Sequence, residues 1–157
     1  MAHSPSAGAI GEIRIIAQNK KLAHDLDVER HLEAGIVLCG SEVKSIRGGR
    51  VVLTGAHVRI LGGEALVFGL TINEYAFSHQ FTHEPLAQRK LLLHTHEIAK
   101  LQRDLEQKGC TAAISRIYWR GSRVKLDISI GTGKKLHDKR QTIKEADARR
   151  DMQRAKR

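Results

Sequence analysis

TAAISRIYW (residues 111–119), RGS (120–122) and RVKLDISI (123–130) read as two strands joined by a tight turn. In the second strand Val124, Leu126, Ile128 and Ile130 alternate with Arg123, Lys125, Asp127 and Ser129. One face is apolar and points inward; the other is polar and points outward. This alternation beside a Gly-containing turn predicts an antiparallel hairpin. A second hairpin is expected over residues 56–61 and 64–72, turning at Gly62-Gly63, a strong two-residue turn signal.

Working outward, residues 12–17 suggest a short strand. Residues 26–38 suggest a long one, bent near Gly35 because glycine inside a strand often marks a bend. Ser41–Arg47 reads as a short helix capped by Ser41 and ended by Gly48-Gly49. Residues 73–88 form a polar loop with Pro85. Arg89–Lys108 reads as the clearest helix, with Leu91, Ile98, Leu101 and Leu105 on one stripe and Gly109 as the stop. The alternative is a shorter helix capped by Thr95, with residues 89–93 as an extended lead-in. Helices do not alternate with strands often enough for a parallel doubly wound sheet. The expected fold is mainly β with helices: an oligonucleotide-binding-like antiparallel barrel with two or three packed helices.

The chain divides into a flexible N-terminus (1–11), the barrel domain (12–130) and a basic C-terminal tail (131–157). The whole chain has 157 residues, with 27 Lys+Arg against 17 Asp+Glu and a net charge of +10. The tail holds ten Lys/Arg against four Asp/Glu, so it carries six of those net charges. Its large apolar side chains are only Leu136, Ile143 and Met152, too few to offset ordering entropy, so the free tail should be disordered and mobile. A helix there would carry a narrow stripe of Ala148, Met152 and Ala155, marginal alone and able to form on an RNA surface. Charge of this sign and size favours a polyanion, with nucleic acid first. No apolar run approaches the ~20 residues of a spanning helix, and residues 1–11 lack the basic start and apolar stretch of a signal peptide. The expected location is the cytoplasm, with no membrane partner. Cys39 and Cys110 have no metal-ligand spacing and read as thiols in a reducing compartment, a disulfide being the alternative.

Three constellations carry chemistry. Asn19-Lys20-Lys21-x-x-His24 puts an amide, two ammonium groups and an imidazole in one turn, suited to phosphate and loop-base contacts or simply to solvent. Glu33-Ala34-Gly35 places a carboxylate beside a backbone a ligand can approach closely. Such a carboxylate can accept from base amino groups or a ribose hydroxyl, although locally an ordinary edge-strand glutamate is the better reading. Gly133-Lys134-Lys135-x-His137-Asp138-Lys139-Arg140 is the densest cluster: cations for phosphate, His137 for stacking, and Asp138 to hold a basic neighbour. The pairs His79/His83 and His94/His96 fit no metal pattern, because Gln80 stands where a zincin needs Glu. No nucleophile elbow or phosphate-binding loop occurs, so neither enzymatic activity nor a cofactor or metal is expected. Aromatic residues are scarce, which disfavours a stacking platform for single strands and favours folded RNA read by shape and phosphate.

These motifs resemble the SsrA-binding protein (SmpB) family. Asn19-Lys20-Lys21-x-x-His24, Glu33-Ala34-Gly35-Ile36, Glu42-Val43-Lys44-Ser45, Arg89-Lys90-Leu91-Leu92-Leu93, Arg123-Val124-Lys125-Leu126 and the cluster from Gly133 to Arg140 occur in the family's order and spacing. The resemblance runs from about Ile13 to the C-terminus. It implies an oligonucleotide-binding-type barrel that binds the tRNA-like domain of transfer-messenger RNA and delivers it to stalled bacterial ribosomes. There the ribosome is rescued and the nascent peptide tagged for degradation. It implies RNA-binding roles for Asn19, Lys20, Lys21, His24, Glu33, Leu91 and Lys125. It implies ribosomal roles, including contact with small-subunit ribosomal RNA, for Gly133, Lys134, Lys135, His137, Asp138, Lys139, Arg140 and Met152. His137 matches a stacking position in the decoding centre, and Met152 the apolar spot of a tail helix in the empty message channel. A monomer binding RNA one to one is expected. The sequence departs from the family at Leu26 and Asp27, where an aromatic pair or a Tyr with an apolar partner is usual, at Cys39, and at Ala146-Asp147.

Overall fold

The computed structural model describes residues 12–77 and 83–155. The chain runs β1 (Ile13–Gln18), α1 (Leu22–Asp25), β2 (Leu26–Ile36), α2 (Gly40–Arg47), β3 (Val51–Val52), β4 (His57–Leu61) and β5 (Glu64–Phe68). It continues through β6 (Thr71–Ile72), β7 (Arg89–Leu92), α3 (Thr95–Glu106), β8 (Cys110–Arg120), β9 (Arg123–Gly133) and α4 (Leu136–Ala155). The flexible N-terminus expected for residues 1–11 lies outside the described residues.

The hairpin at 111–130 is the spine. β8 and β9 pair antiparallel from Arg120↔Arg123 down to Cys110↔Thr132. Each long strand then takes another partner on its free edge. β9 pairs with β2 along most of its length, and β8 pairs with β4 near one end and β1 near the other. The sequence β8-β4-β5-β7-β2-β9 closes on itself through β8–β9, giving the antiparallel barrel, with β1 added beside β8. β3 and β6 form a separate small sheet. Val124, Leu126, Ile128 and Ile130 all point into the core, as their alternation predicts. Ser129 differs: it is buried, its hydroxyl 3.2 Å from His31 Nδ1 on β2, which covers it.

The largest correction concerns residues 89–108. Arg89–Leu92 is a strand of the barrel and the helix begins only at Thr95, so the shorter alternative is the one that forms. The i, i+7 spacing from Leu91 to Ile98 that suggested one helix arises because Leu91 faces the core as a strand residue while Ile98, Leu101 and Leu105 face it as helix residues. The caps also differ. His94 caps α3, with the Glu97 carboxylate accepting from its N–H at 2.8 Å; Cys39 caps α2, with Glu42 accepting from its N–H at 2.9 Å.

The bend in β2 does not fall at Gly35. Pairing with β9 shifts register between Val28 and Arg30, leaving Glu29 as the bulge. Gly35 is instead a point of close approach: a Cβ there would stand 3.1 Å from Leu92 Cβ on β7. β9 runs on to Gly133, so the barrel ends three residues later than the expected boundary at 130. Gly131 permits the crossing, since a Cβ on it would lie 1.9 Å from the Asp27 carbonyl oxygen. The second hairpin turns at Gly62-Gly63 as expected, both with positive φ (57° and 76°).

Beneath α2 lies a buried ion pair. Arg89 Nε donates to Glu42 at 2.6 Å, its Nη1 to the carbonyls of Leu70 and Ala87 (each 2.8 Å), and its Nη2 to those of Glu84 (3.2 Å) and Pro85 (3.1 Å). All five guanidinium protons are thereby satisfied. α2, the end of the 73–88 loop and β7 meet on this one side chain.

Candidate nucleic-acid interface

Residues directly opposite in a sheet point to the same face, and this register builds the site. Glu33 on β2 faces Asp127 on β9, which faces Arg116 on β8, which faces Gln18 on β1. The next row runs Gly35, Lys125, Tyr118, Ile15, and beyond it Arg123, Arg120 and Ile13. The outer wall of the barrel is thus a basic surface with two carboxylates set into it.

Glu33 is the hub of that wall. The Tyr118 hydroxyl donates to it, and so does Arg120 Nη1 at 2.9 and 3.1 Å, while Lys125 Nζ stands 3.9 Å away. Partial burial pushes the Glu33 carboxyl up. The Tyr118 hydrogen bond and the charges of Arg120 and Lys125 outweigh it and hold the group below its ordinary value. Tyr118 moves the other way, raised by burial and by the Glu33 and Asp127 carboxylates, so it remains a proton donor. Glu33 is therefore a fixed acceptor in a field of donors, and Gly35 beside it offers no side chain.

Glu33 and Lys125 line one open groove of about 970 Å³ with Leu91, Leu92, Trp119 and Arg123. Leu91 is 2% exposed, so it shapes the groove floor from the core, and the apolar side chain that faces outward is its neighbour Leu92. Sequence reasoning passed over Tyr118, Arg120 and Leu92. The two β8 residues become partners of Glu33 only through the long-range β2–β9 register, which no local pattern announces.

Most of the other named residues gather at the far end of the β2–β9 ladder. Leu26 pairs with Gly133 there, whereas Gly35 pairs with Lys125 at the groove; nine residues of strand separate the two, about 30 Å. Asn19 is the exception: it follows β1 beside the Glu33 row, its N–H donating to the Ser115 carbonyl at 2.7 Å. Lys20, Lys21 and His24 are exposed around α1. The start of the tail locks onto the same corner. Lys134 N–H donates to the Asp25 carbonyl (3.0 Å), Lys134 Nζ to the Ala23 carbonyl (2.9 Å), and Lys139 Nζ lies 3.2 Å from the Asp25 carboxylate. Gly133, expected in the tail, is the last residue of β9. Leu26, a departure from the family pattern, is buried in β2, while Asp27 is exposed.

Beyond its base α4 projects as a 20-residue helix. Lys135, just before it, and Asp138, Arg140 and Met152 on it are exposed, Met152 at 64%. His137 lies in α4, but its side chain lies outside the described residues, as does His79. His83 anchors a loop, its ring nitrogens 3.0 Å from Ser41 Oγ and 2.9 Å from the Ile72 carbonyl, while His94 and His96 stack with centroids 5.6 Å apart. Among the described residues, no three His, Cys, Asp or Glu side chains converge as metal ligands, both cysteines are free, and no helix is long and apolar enough to cross a membrane.

Known proteins are similar to this chain in sequence and fold. Residues 16–157 match the family model described as SmpB protein. An SsrA-binding protein of Syntrophotalea carbinolica is 48% identical over 143 residues, covering 91% of this chain and 95% of that one. Another from Roseiflexus castenholzii is 48% identical over 143 residues, covering 90% of each. A solved chain described under "tmRNA-SmpB: a journey to the center of the bacterial ribosome" superposes with a TM-score of 0.66 at 36% identity, covering 81% of this chain and 93% of that one. A fold, a set of motifs and a length shared to this extent have one reading: the chain belongs to the SmpB protein family.

Proposed function

We propose that this protein binds the tRNA-like domain of transfer-messenger RNA and delivers it to stalled ribosomes for trans-translation. The barrel grips the folded RNA, and the basic tail acts on small-subunit ribosomal RNA. The observation that carries this reading is the separation of two basic surfaces by the β2–β9 ladder. One is a groove built around an ionised Glu33; the other is the tail, rooted at the opposite end of the ladder, where Lys135 and cations of α4 such as Arg140 are exposed. A single basic patch suits any polyanion, whereas two patches about 30 Å apart suit a protein held between two RNA surfaces. Relatives named as SsrA-binding proteins, and a solved neighbour named with transfer-messenger RNA and the bacterial ribosome, support the identity of both partners.

In this reading the protein binds without catalysing, works in the cytoplasm as a monomer, and takes one RNA. The groove residues Glu33 and Lys125, floored by Leu91, Asn19 beside the Glu33 row, and the corner residues Lys20, Lys21 and His24 contact the tRNA-like domain. Gly133, Lys134, Lys135, His137, Asp138, Lys139, Arg140 and Met152 serve the ribosome. The tail is mobile in solution and helical when bound, since α4 has an exposed apolar stripe and its barrel contacts lie at its root.

Glu33 supplies the test. Glu33→Ala removes a negative charge from a basic surface, so attraction by charge alone predicts tighter RNA binding. The proposal predicts weaker binding to the tRNA-like domain, because Arg120 and Lys125 lose the group that positions them and the RNA loses an acceptor. Unchanged or tighter binding in a titration would refute the role given to this groove.

A further inference from the structure

The sequence has six aromatic residues, too few to predict a stacking surface, yet the fold gathers two of them beside the basic end of α2. The rings of Tyr75 and Phe77 meet edge-on, centroids 5.7 Å apart at 62°. Lys44 Nζ lies 5.7 Å from the Tyr75 ring centre, and Lys44 and Arg50 line a shallow hollow with both rings. Arg47, one turn along α2 from Lys44, lies 5.8 Å from the centre of the Trp119 ring. Phe77 is 75% exposed.

One exposed aromatic side chain alone needs no explanation. This one stands on a fixed base. The Ser45 hydroxyl donates to the Asn73 carbonyl, Asn73 N–H donates to the Arg50 carbonyl at 3.0 Å, and Val51 pairs with Ile72. The ring pair is mounted on α2 and the β3–β6 sheet, two residues from its nearest anchor.

We propose that Tyr75, Phe77, Lys44 and Arg50 form a second RNA contact that takes an unstacked nucleotide of a single-stranded segment. Its base stacks on the open face of Phe77 and its flanking phosphates meet Lys44 and Arg50. Every base has a π-face and every phosphate a negative charge, so this combination of groups matches a single strand without reading its sequence. Charge complementarity selects the occupant: Lys44, Arg47 and Arg50 outnumber the exposed Glu74 carboxylate, and an apolar partner would leave these cations uncompensated. The platform shares no residue with the Glu33 groove, so it does not depend on the folded-RNA reading.

The experiment uses the full chain and a fluorescein-labelled single-stranded RNA hexamer, read by anisotropy across a salt series. A second hexamer carrying 5-iodouridine is crosslinked and mapped by mass spectrometry. Phe77→Ala is expected to weaken hexamer binding about fivefold or more, and Phe77→Trp to restore it, with the melting temperature unchanged because the ring is exposed. The double variant Lys44→Ala, Arg50→Ala is expected to flatten the salt slope by about 1.4, the value for two single-strand phosphate contacts. Crosslinks are expected on residues 75–77. Hexamer affinity unmoved by Phe77→Ala, or crosslinks confined to residues 134–157, would overturn the proposal. The tRNA-like domain titrated against the same variants keeps the two readings apart, because loss at Phe77 with the hexamer alone leaves the groove untouched.

Discussion

Arg89 shows what one side chain contributes here. It is 4% exposed and satisfies its five protons on Glu42 and four backbone carbonyls. Removing it strands the Glu42 carboxylate and those carbonyls away from water, at a cost of about 3–5 kcal/mol. Chemical denaturation of Arg89→Ala should show a loss of that size, and a loss below 1 kcal/mol would contradict the account of the pair. The pair also links stability to pH. Burial pushes the Glu42 carboxyl up, but the Cys39 N–H and Arg89 outweigh it and lower it below its ordinary value of 4.5. A lowered carboxyl stabilises the fold fully above the unfolded value, and that contribution is lost as pH falls below about 4.5 through the folded value. Unfolding free energy should therefore drop through this window. Glu42→Gln should start lower at neutral pH and fall less steeply in acid; an acid limb as steep as that of the parent protein would count against Glu42 as its source.

Among the elements, the β2–β9 ladder governs both the barrel and the spacing of its two basic surfaces. Gly131 is its tightest point. A methyl there would stand 1.9 Å from the Asp27 carbonyl oxygen and 2.9 Å from Val28 Cα, backbone atoms that move only if the strands part. At Gly35 the obstacle is the Leu92 side chain at 3.1 Å, which can shift. Gly131→Ala should therefore cost more stability than Gly35→Ala, the latter falling within about 1–3 kcal/mol. Thermal melts that reverse this order would contradict the packing described. The alternation in residues 123–130 was legible in sequence because period two survives wherever one face is buried. The strand at Arg89–Leu92 was legible only as the alternative reading, because four residues are too few to show a period against the twelve-residue helix that follows. The bulge at Glu29 and the partners of Glu33 were illegible for another reason. They arise from register between strands about a hundred residues apart in sequence, where local propensity has no say. The candidate site was legible as motifs, in Glu33, Lys125 and the cluster after Gly133, and illegible as geometry.

At the scale of the whole molecule, the proposed function has the barrel and the tail divide the work. Lys134 and the start of α4 touch the body at Ala23 and Asp25 in α1, so deleting residues 134–157 leaves the barrel's pairing complete, with Gly133 still opposite Leu26. The truncated protein is expected to bind the tRNA-like domain nearly as well as the full chain and to lose tagging of stalled peptides entirely. Equal loss of both would dissolve the division of labour. The central claim is that the wall around Glu33 recognises a folded RNA rather than charge. The measurement that tests it most directly is binding to the tRNA-like domain of transfer-messenger RNA against an elongator tRNA across a salt series. Phosphate contacts lower the logarithm of affinity by about 0.9 per contact and per tenfold rise in salt, on both RNAs alike. A preference for the tRNA-like domain of about tenfold or more that persists as salt rises is the predicted result. Curves that converge to no preference would contradict the account and leave a generic basic RNA binder.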